Sequence, residues 1–134
     1  MMTKYVYPAV FKKEDDGKYS VVFRDLEGCY TCGDNLEHSI EMAEDVLALV
    51  LYGYEVEGKE IPVPSNIQEI KVGDNEFINY IKCDTLEYRK MYNNKSVRKN
   101  VTLPEWLNEE AEKAQINVSK VLQEALMKKL GVFR

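Results

Sequence analysis

The sequence predicts an α+β fold in two parts: an N-terminal antiparallel sheet with one packed helix, and a C-terminal strand followed by two helices. Residues 4–13 and 18–25 are rich in Tyr, Val and Phe and flank a turn around Gly17, which is typical of a β-hairpin. From residue 36 to 54, apolar residues recur three and four positions apart, as on one face of a helix. A polar stretch then separates this part from a second strand-and-helix pattern.

The N-terminal elements have recognisable ends. A turn and a short third strand follow the hairpin. Asp34 is a suitable N-cap for the helix, and Glu37 three residues later completes a capping box. We expect this helix to end near Tyr52–Gly53. Two short apolar runs, 67–72 and 76–82, follow it.

The polar residues after the second run predict a division of the chain. Residues 83–96 have no clean hydrophobic period, so most of them are expected to form a linker, although LEYRKMY (86–92) is also compatible with a helical turn. The predicted boundaries are 1–84 for the first domain, 85–96 for the linker and 97–134 for the second domain.

The second domain is predicted to contain a strand over 97–103 and two helices. Pro104 opens the first helix, because proline is well tolerated at the first helical position. A break at Gln115–Asn117 precedes the second helix, 118–130, which Gly131 closes.

Charge differs sharply between the two parts. Residues 1–85 hold 8 Lys and Arg against 17 Asp and Glu, a formal charge of −9, whereas residues 86–134 hold 10 against 6, a charge of +4. An acidic part attracts a basic partner, and a basic part attracts nucleic acid. Three cysteines, no apolar run long enough for a bilayer and no signal-peptide pattern favour a cytoplasmic protein without membrane contact.

One strand and two amphipathic helices cannot bury a core alone. The strand has no ladder partner, and the apolar residues of this part need a surface on which to pack. A symmetric homodimer, or a higher even oligomer, solves both problems, because two strands pair as a ribbon and four helices share one core. A two-stranded ribbon of this kind fits the major groove of DNA.

The stretch RKNVTLPEWLNEEAEKAQINVSKVLQEALMKKL (98–130) resembles the ribbon-helix-helix repressors. Their pattern is a strand ending in T-L-P or T-L-S, a helix, a G/N-x-S break and a second helix. Alternation along the strand turns Val101 and Leu103 inward. The residues expected to read operator DNA bases are therefore Arg98, Asn100 and Thr102. The resemblance implies that the start of the second helix holds a DNA phosphate through Asn117, Val118, Ser119 and Lys120.

The N-terminal part resembles the HicB antitoxin family. Its motif D-L-P-G-x-x-T-x-G appears here as D-L-E-G-C-Y-T-C-G over residues 25–33, and a P-V-P-S segment follows at 62–65. The resemblance implies a partial RNase H-like domain without catalysis, which would bind and neutralise a HicA-type mRNA-cleaving toxin while the tail represses the operon. The residues expected to contact the toxin are Asp25, Glu27 and Tyr30.

Three alternatives to the antitoxin interpretation remain: a dimeric regulator or adaptor without a toxin partner, a zinc protein, and a degenerate nuclease. Cys29 and Cys32 form a C-x-x-C, but their odd separation places them on opposite faces of a strand. The acidic helix face lies opposite the apolar stripe rather than in a cleft. We therefore expect no catalytic residues, no metal site and no cofactor.

Overall fold

The computed structural model describes residues 3–132, which form four strands and four α-helices. The strands are β1 (Lys4–Lys13), β2 (Tyr19–Val22), β3 (Tyr30–Gly33) and β4 (Glu76–Asp84), and the helices are α1 (Leu36–Glu57), α2 (Thr85–Tyr92), α3 (Glu105–Lys113) and α4 (Val118–Leu130). The chain divides into two compact units, residues 1–95 and 96–134. No helix of the described residues is long and apolar enough to cross a membrane.

The first unit is built on one antiparallel sheet with the strand order β3-β2-β1-β4. β1 is central and pairs with β4 from Lys4↔Asp84 to Lys12↔Glu76. The C-terminal end of β1 also pairs with β2, from Val10↔Val22 to Lys13↔Tyr19. This confirms the predicted α+β class with an antiparallel N-terminal sheet.

Helix α1 packs on one face of the sheet. Alternation along β1 turns Tyr7, Ala9 and Phe11 toward it, and all three are buried. The helix contributes an apolar stripe to the same core, consisting of Ala43, Leu47 and Leu51. The remaining members of the core come from β2, β4 and the turn after β2: Val21, Phe23, Leu26, Cys29 and Ile81.

The ends of α1 differ from the sequence expectation. Its N-cap is Asn35 rather than Asp34: Asn35 Oδ1 accepts the His38 N–H at 2.8 Å, and His38 Nδ1 accepts the Asp34 N–H at 3.0 Å. The cap therefore lies one residue later than predicted, and the return bond is accepted by a histidine, from the residue before the cap rather than from the cap itself. The helix also continues past Gly53 to Glu57, where Gly58 terminates it at φ +69°.

Gly33 is required by the close approach of β3 to α1. A Cβ added at Gly33 would lie 2.4 Å from the Ser39 backbone nitrogen. We expect Gly33→Ala to lower the free energy of unfolding by about 1–3 kcal/mol, because a backbone atom must move to make room. Urea denaturation followed by circular dichroism measures this change.

Gly53→Ala is the matched control. A Cβ at Gly53 meets nothing within 4 Å and lies inside α1. Alanine in a helix interior should raise the free energy of unfolding by about 0.5–1 kcal/mol. Equal effects of the two substitutions would show that β3 can move away from α1 without cost.

Residues Thr85–Tyr92, which lie within the predicted linker over 85–96, form α2. Asp84 caps this helix by accepting the Leu86 N–H at 3.0 Å. Tyr88 and Tyr92 lie one turn apart, and their ring centroids are 4.5 Å from each other. The ring centroid of Tyr88 is also 5.4 Å from that of Tyr52 on α1. Packing on α1 thus stabilises a helix too short and polar to form alone.

The second unit contains α3 and α4 with the bounds that the sequence predicts to within one residue. Residues 93–104 have no regular secondary structure. A strand is defined by its ladder to a neighbouring strand, and this segment of one chain has none, so the strand over 97–103 stays a prediction. None of the described residues from 96 to 132 is buried, although several large apolar side chains belong to this unit.

Candidate partner-binding and DNA-binding surfaces

The two motifs of the first unit are joined through one carboxylate. Asp25 Oδ2 accepts the Ser65 N–H at 2.9 Å, and Asp25 Oδ1 accepts the Ser65 hydroxyl. Nearby, the buried Tyr7 hydroxyl donates to the carbonyl of Pro62. The turn after β2 and the P-V-P-S segment, 40 residues apart in sequence, therefore form one local structure.

The three residues expected to contact a toxin have different environments. Asp25 is half-buried, and its carboxylate is engaged by Ser65. Glu27 is exposed in the same turn, and Tyr30, at the start of β3, is 67% exposed. Two of the three side chains thus face solvent, while the third stabilises the turn that carries Glu27.

A partly buried polar cluster around Glu55 was not predicted from the sequence. The Tyr5 and Thr85 hydroxyls each lie 2.8 Å from Glu55 Oε2, and Arg89 Nη2 lies 3.1 Å from Oε1. The Glu55 side chain is only 12% exposed. Burial and, after it, the hydrogen bond to Glu55 together raise the pKa of Tyr5 to about 12, so this tyrosine remains a donor at neutral pH. The cluster fixes α2 against α1 and β1.

The cysteines lie in different environments. Cys29 is buried and Cys32 is exposed on β3. Burial raises the pKa of the thiols of Cys29 and Cys83 to about 12, so both are protonated at neutral pH. Among residues 3–132, no three His, Cys, Asp or Glu side chains are grouped as a metal site requires.

The residues expected to read DNA all lie in the second unit and are exposed: Arg98, Asn100 and Thr102. Arg98 and Asn100 line a groove of about 660 Å³ together with Ser119 and Leu122 of α4. The structure thus brings two of the three base-reading candidates beside one of the phosphate-binding candidates. Thr102 lies in a separate depression beside Glu105 and Asn108.

The start of α4 has the arrangement of a capped helix. Asn117 Oδ1 accepts the Lys120 N–H at 3.1 Å, so the amide oxygen of Asn117 is occupied. The amides of Val118 and Ser119 belong to the first turn, whose N–H groups have no acceptor within a helix. All four candidate residues, Asn117 to Lys120, are exposed.

The fold is similar to those of solved toxin–antitoxin proteins. A toxin–antitoxin complex from Streptococcus pneumoniae matches with a TM-score of 0.62 at 24% identity, covering 94% of this chain and 99% of that chain. The antitoxin HicB of Burkholderia pseudomallei matches with a TM-score of 0.53 at 17% identity, covering 97% and 99% of the two chains. A HicA3 and HicB3 toxin–antitoxin complex matches at 0.50 and 20% identity, covering 60% of this chain and 99% of that one.

The sequence itself supplies the family. No curated protein matches the chain significantly. The sequence model of a family described as HicB-like antitoxin of bacterial toxin–antitoxin systems matches residues 7–127, which include both motifs and most of the second unit. The chain therefore belongs to the HicB-like antitoxin family.

Proposed function

We propose that this antitoxin neutralises a HicA-type mRNA-cleaving toxin through its first unit and represses its own operon through its second unit, as a ribbon-helix-helix dimer. The chain belongs to the HicB-like antitoxin family, and one of the structures it resembles is a HicA3 and HicB3 complex. The acidic first unit suits a basic RNA-binding partner. Glu27 and Tyr30 are proposed contacts, with Asp25 supporting their turn.

The observation that supports the dimer is that none of the described residues of the second unit, 96–132, is buried. Two helices present exposed apolar side chains on surfaces that one chain does not cover, among them Leu107, Val121 and Leu126. A second copy would cover them and would pair residues 97–103 as a two-stranded ribbon. The proposed ribbon presents Arg98, Asn100 and Thr102 to the major groove, and the start of α4 to a phosphate.

Toxin neutralisation is tested by co-expression. The candidate toxin is a small basic protein of HicA size, sought among the genes beside the antitoxin's own, and it is induced in a growing culture with and without the antitoxin. Growth arrest by the toxin alone and growth with both proteins is the expected result. A chain that leaves growth arrested would contradict the first half of the proposal.

Operator binding is tested with the antitoxin's own promoter fragment. We expect retardation in a mobility-shift assay, and a steep loss of affinity with salt, because phosphate contacts release counterions. An unrelated fragment of the same length is the control. Equal binding to the two fragments would contradict sequence-specific repression.

A further inference from the structure

A groove of about 290 Å³ lies between α1, α2 and the edge strand β3. Its wall is mainly apolar and aromatic, with one carboxylate, and its principal residues are Met42, Asp45, Val46, Leu49, Tyr88 and Tyr92. This volume is at the lower end for small-molecule sites, so it fits one long side chain better than a cofactor.

The aromatic wall is fixed before any partner arrives. Tyr52, Tyr88 and Tyr92 follow one another at centroid distances of 5.4 and 4.5 Å. The ion pair between Arg89 and Glu55, at 3.1 Å, joins α2 to α1, and the Arg89 guanidinium lies 5.4 Å from the centroid of the Tyr52 ring. Tyr92 is nevertheless 67% exposed and Leu49 is 51% exposed, so the groove presents apolar surface to solvent.

The carboxylate of the groove, Asp45, forms no ion pair within the described part of the chain. Asp45 is exposed, and among the described residues it takes part in no ion pair and no side-chain hydrogen bond. The same is true of Glu41 and Glu37, which lie on the preceding turns of α1. Like charges four residues apart destabilise a helix. A basic partner would relieve this repulsion.

We propose that this groove receives an arginine or lysine side chain of the toxin, whose head pairs with Asp45 while its stem lies along Tyr88 and Tyr92. The inference rests on the proposed neutralisation of a HicA-type toxin. Tyrosine faces attract a cation, and apolar walls accommodate the methylene groups of its stem. The approach of a basic surface would be guided by Glu41 and Glu37.

The row of carboxylates also selects against other occupants. Nucleic acid would bring phosphates against Asp45 and Glu41. A second copy of this chain, docked by two-fold symmetry on the same groove, would place two α1 acidic faces opposite each other. A basic protein of different sequence avoids both repulsions.

The test uses the full-length antitoxin and a nuclease-inactive form of the toxin identified by the co-expression experiment. Asp45→Lys is expected to weaken binding by roughly 10- to 100-fold in isothermal titration calorimetry, and Tyr92→Ala by about 10-fold. Asp15→Lys is the matched control: it makes the same change in charge at an exposed aspartate of the β1–β2 turn, and its affinity should stay within about threefold of the unaltered chain's. Circular dichroism and the denaturation midpoint verify that each variant is folded.

A reciprocal substitution identifies the side chain that enters the groove. One Arg→Glu or Lys→Glu variant of the toxin should bind the Asp45→Lys antitoxin at least about tenfold more tightly than it binds the unaltered antitoxin. Full affinity of both Asp45→Lys and Tyr92→Ala would overturn the groove assignment while leaving neutralisation intact. Variants that instead change the oligomeric state of the antitoxin alone would assign the groove to a second copy. Absence of binding by the unaltered chain would overturn the proposed function itself.

Discussion

A chain carrying Leu122→Glu is expected to be monomeric at concentrations at which the unaltered chain forms the proposed dimer. Leu122 is half-buried on α4 and lines the groove beside residues 96–100. In the proposed dimer, the ribbon and the helices of the second copy complete this groove. A carboxylate there would have to lose its water without a compensating partner.

The size of the effect follows from symmetry. Loss of one leucine side chain from an apolar interface costs roughly 2–3 kcal/mol, and a two-fold dimer contains the substitution twice. We therefore expect the dimer dissociation constant to rise by at least about 1000-fold, with loss of operator binding. Sedimentation equilibrium over a range of concentrations measures the constant directly.

Lys128→Glu is the control for added negative charge on the same helix. Lys128 is exposed, and it lies about a third of a turn away from Leu122 on the helical wheel. Its dimer constant should change by less than about tenfold. A dimer dissociation constant of Leu122→Glu equal to that of the unaltered chain would exclude a shared apolar core in the second unit.

The helices of the second unit were predictable because their signals are local. Asn117 and Gly131 are the observed caps of α4, and Pro104 immediately precedes α3. Each of these residues acts on backbone groups within one turn of itself, so sequence neighbours contain all the information needed.

The ends of α1 and the existence of α2 depend on contacts that sequence spacing does not reveal. Asp34 and Asn35 are both good caps, and only the backbone conformation, extended at Asn35, decides between them. Gly53 suggests an end to α1, but the helix is held beyond it by Glu55, which bonds to residues up to 50 positions away. The same pairing stabilises α2, whose own sequence favours helix only weakly.

The candidate site shows the same division. The exposure of Glu27 and Tyr30 follows from their place in a turn and on an edge strand. By contrast, the contact between Asp25 and Ser65 joins two motifs, and the amino-acid sequence alone does not reveal that these motifs are close in space. Asp25, which the sequence predicts to contact a toxin, therefore also stabilises the local structure by binding Ser65.

Replacement of Arg98 by alanine is expected to remove discrimination between the operator and unrelated DNA. Arginine donates bidentately to guanine in the major groove, and one such contact contributes roughly 1–3 kcal/mol of specificity. In the proposed complex two copies read a symmetric operator, so the loss should be roughly 2–6 kcal/mol, or at least about 30-fold in operator affinity. Affinity for unrelated DNA should fall only slightly, because it depends on phosphate contacts.

Lys99→Ala provides the decisive comparison for the ribbon register. Lys99 and Arg98 are adjacent exposed cations, and side chains of neighbouring strand residues point to opposite faces. If the face of Arg98, Asn100 and Thr102 enters the groove, Lys99→Ala weakens operator and unrelated DNA alike, by about the contribution of one charge. Mobility shifts with both fragments, at two salt concentrations, separate the two variants. A reversed result, with discrimination lost at Lys99 and kept at Arg98, would place the ribbon one residue out of register, because a one-residue slip exchanges its two faces.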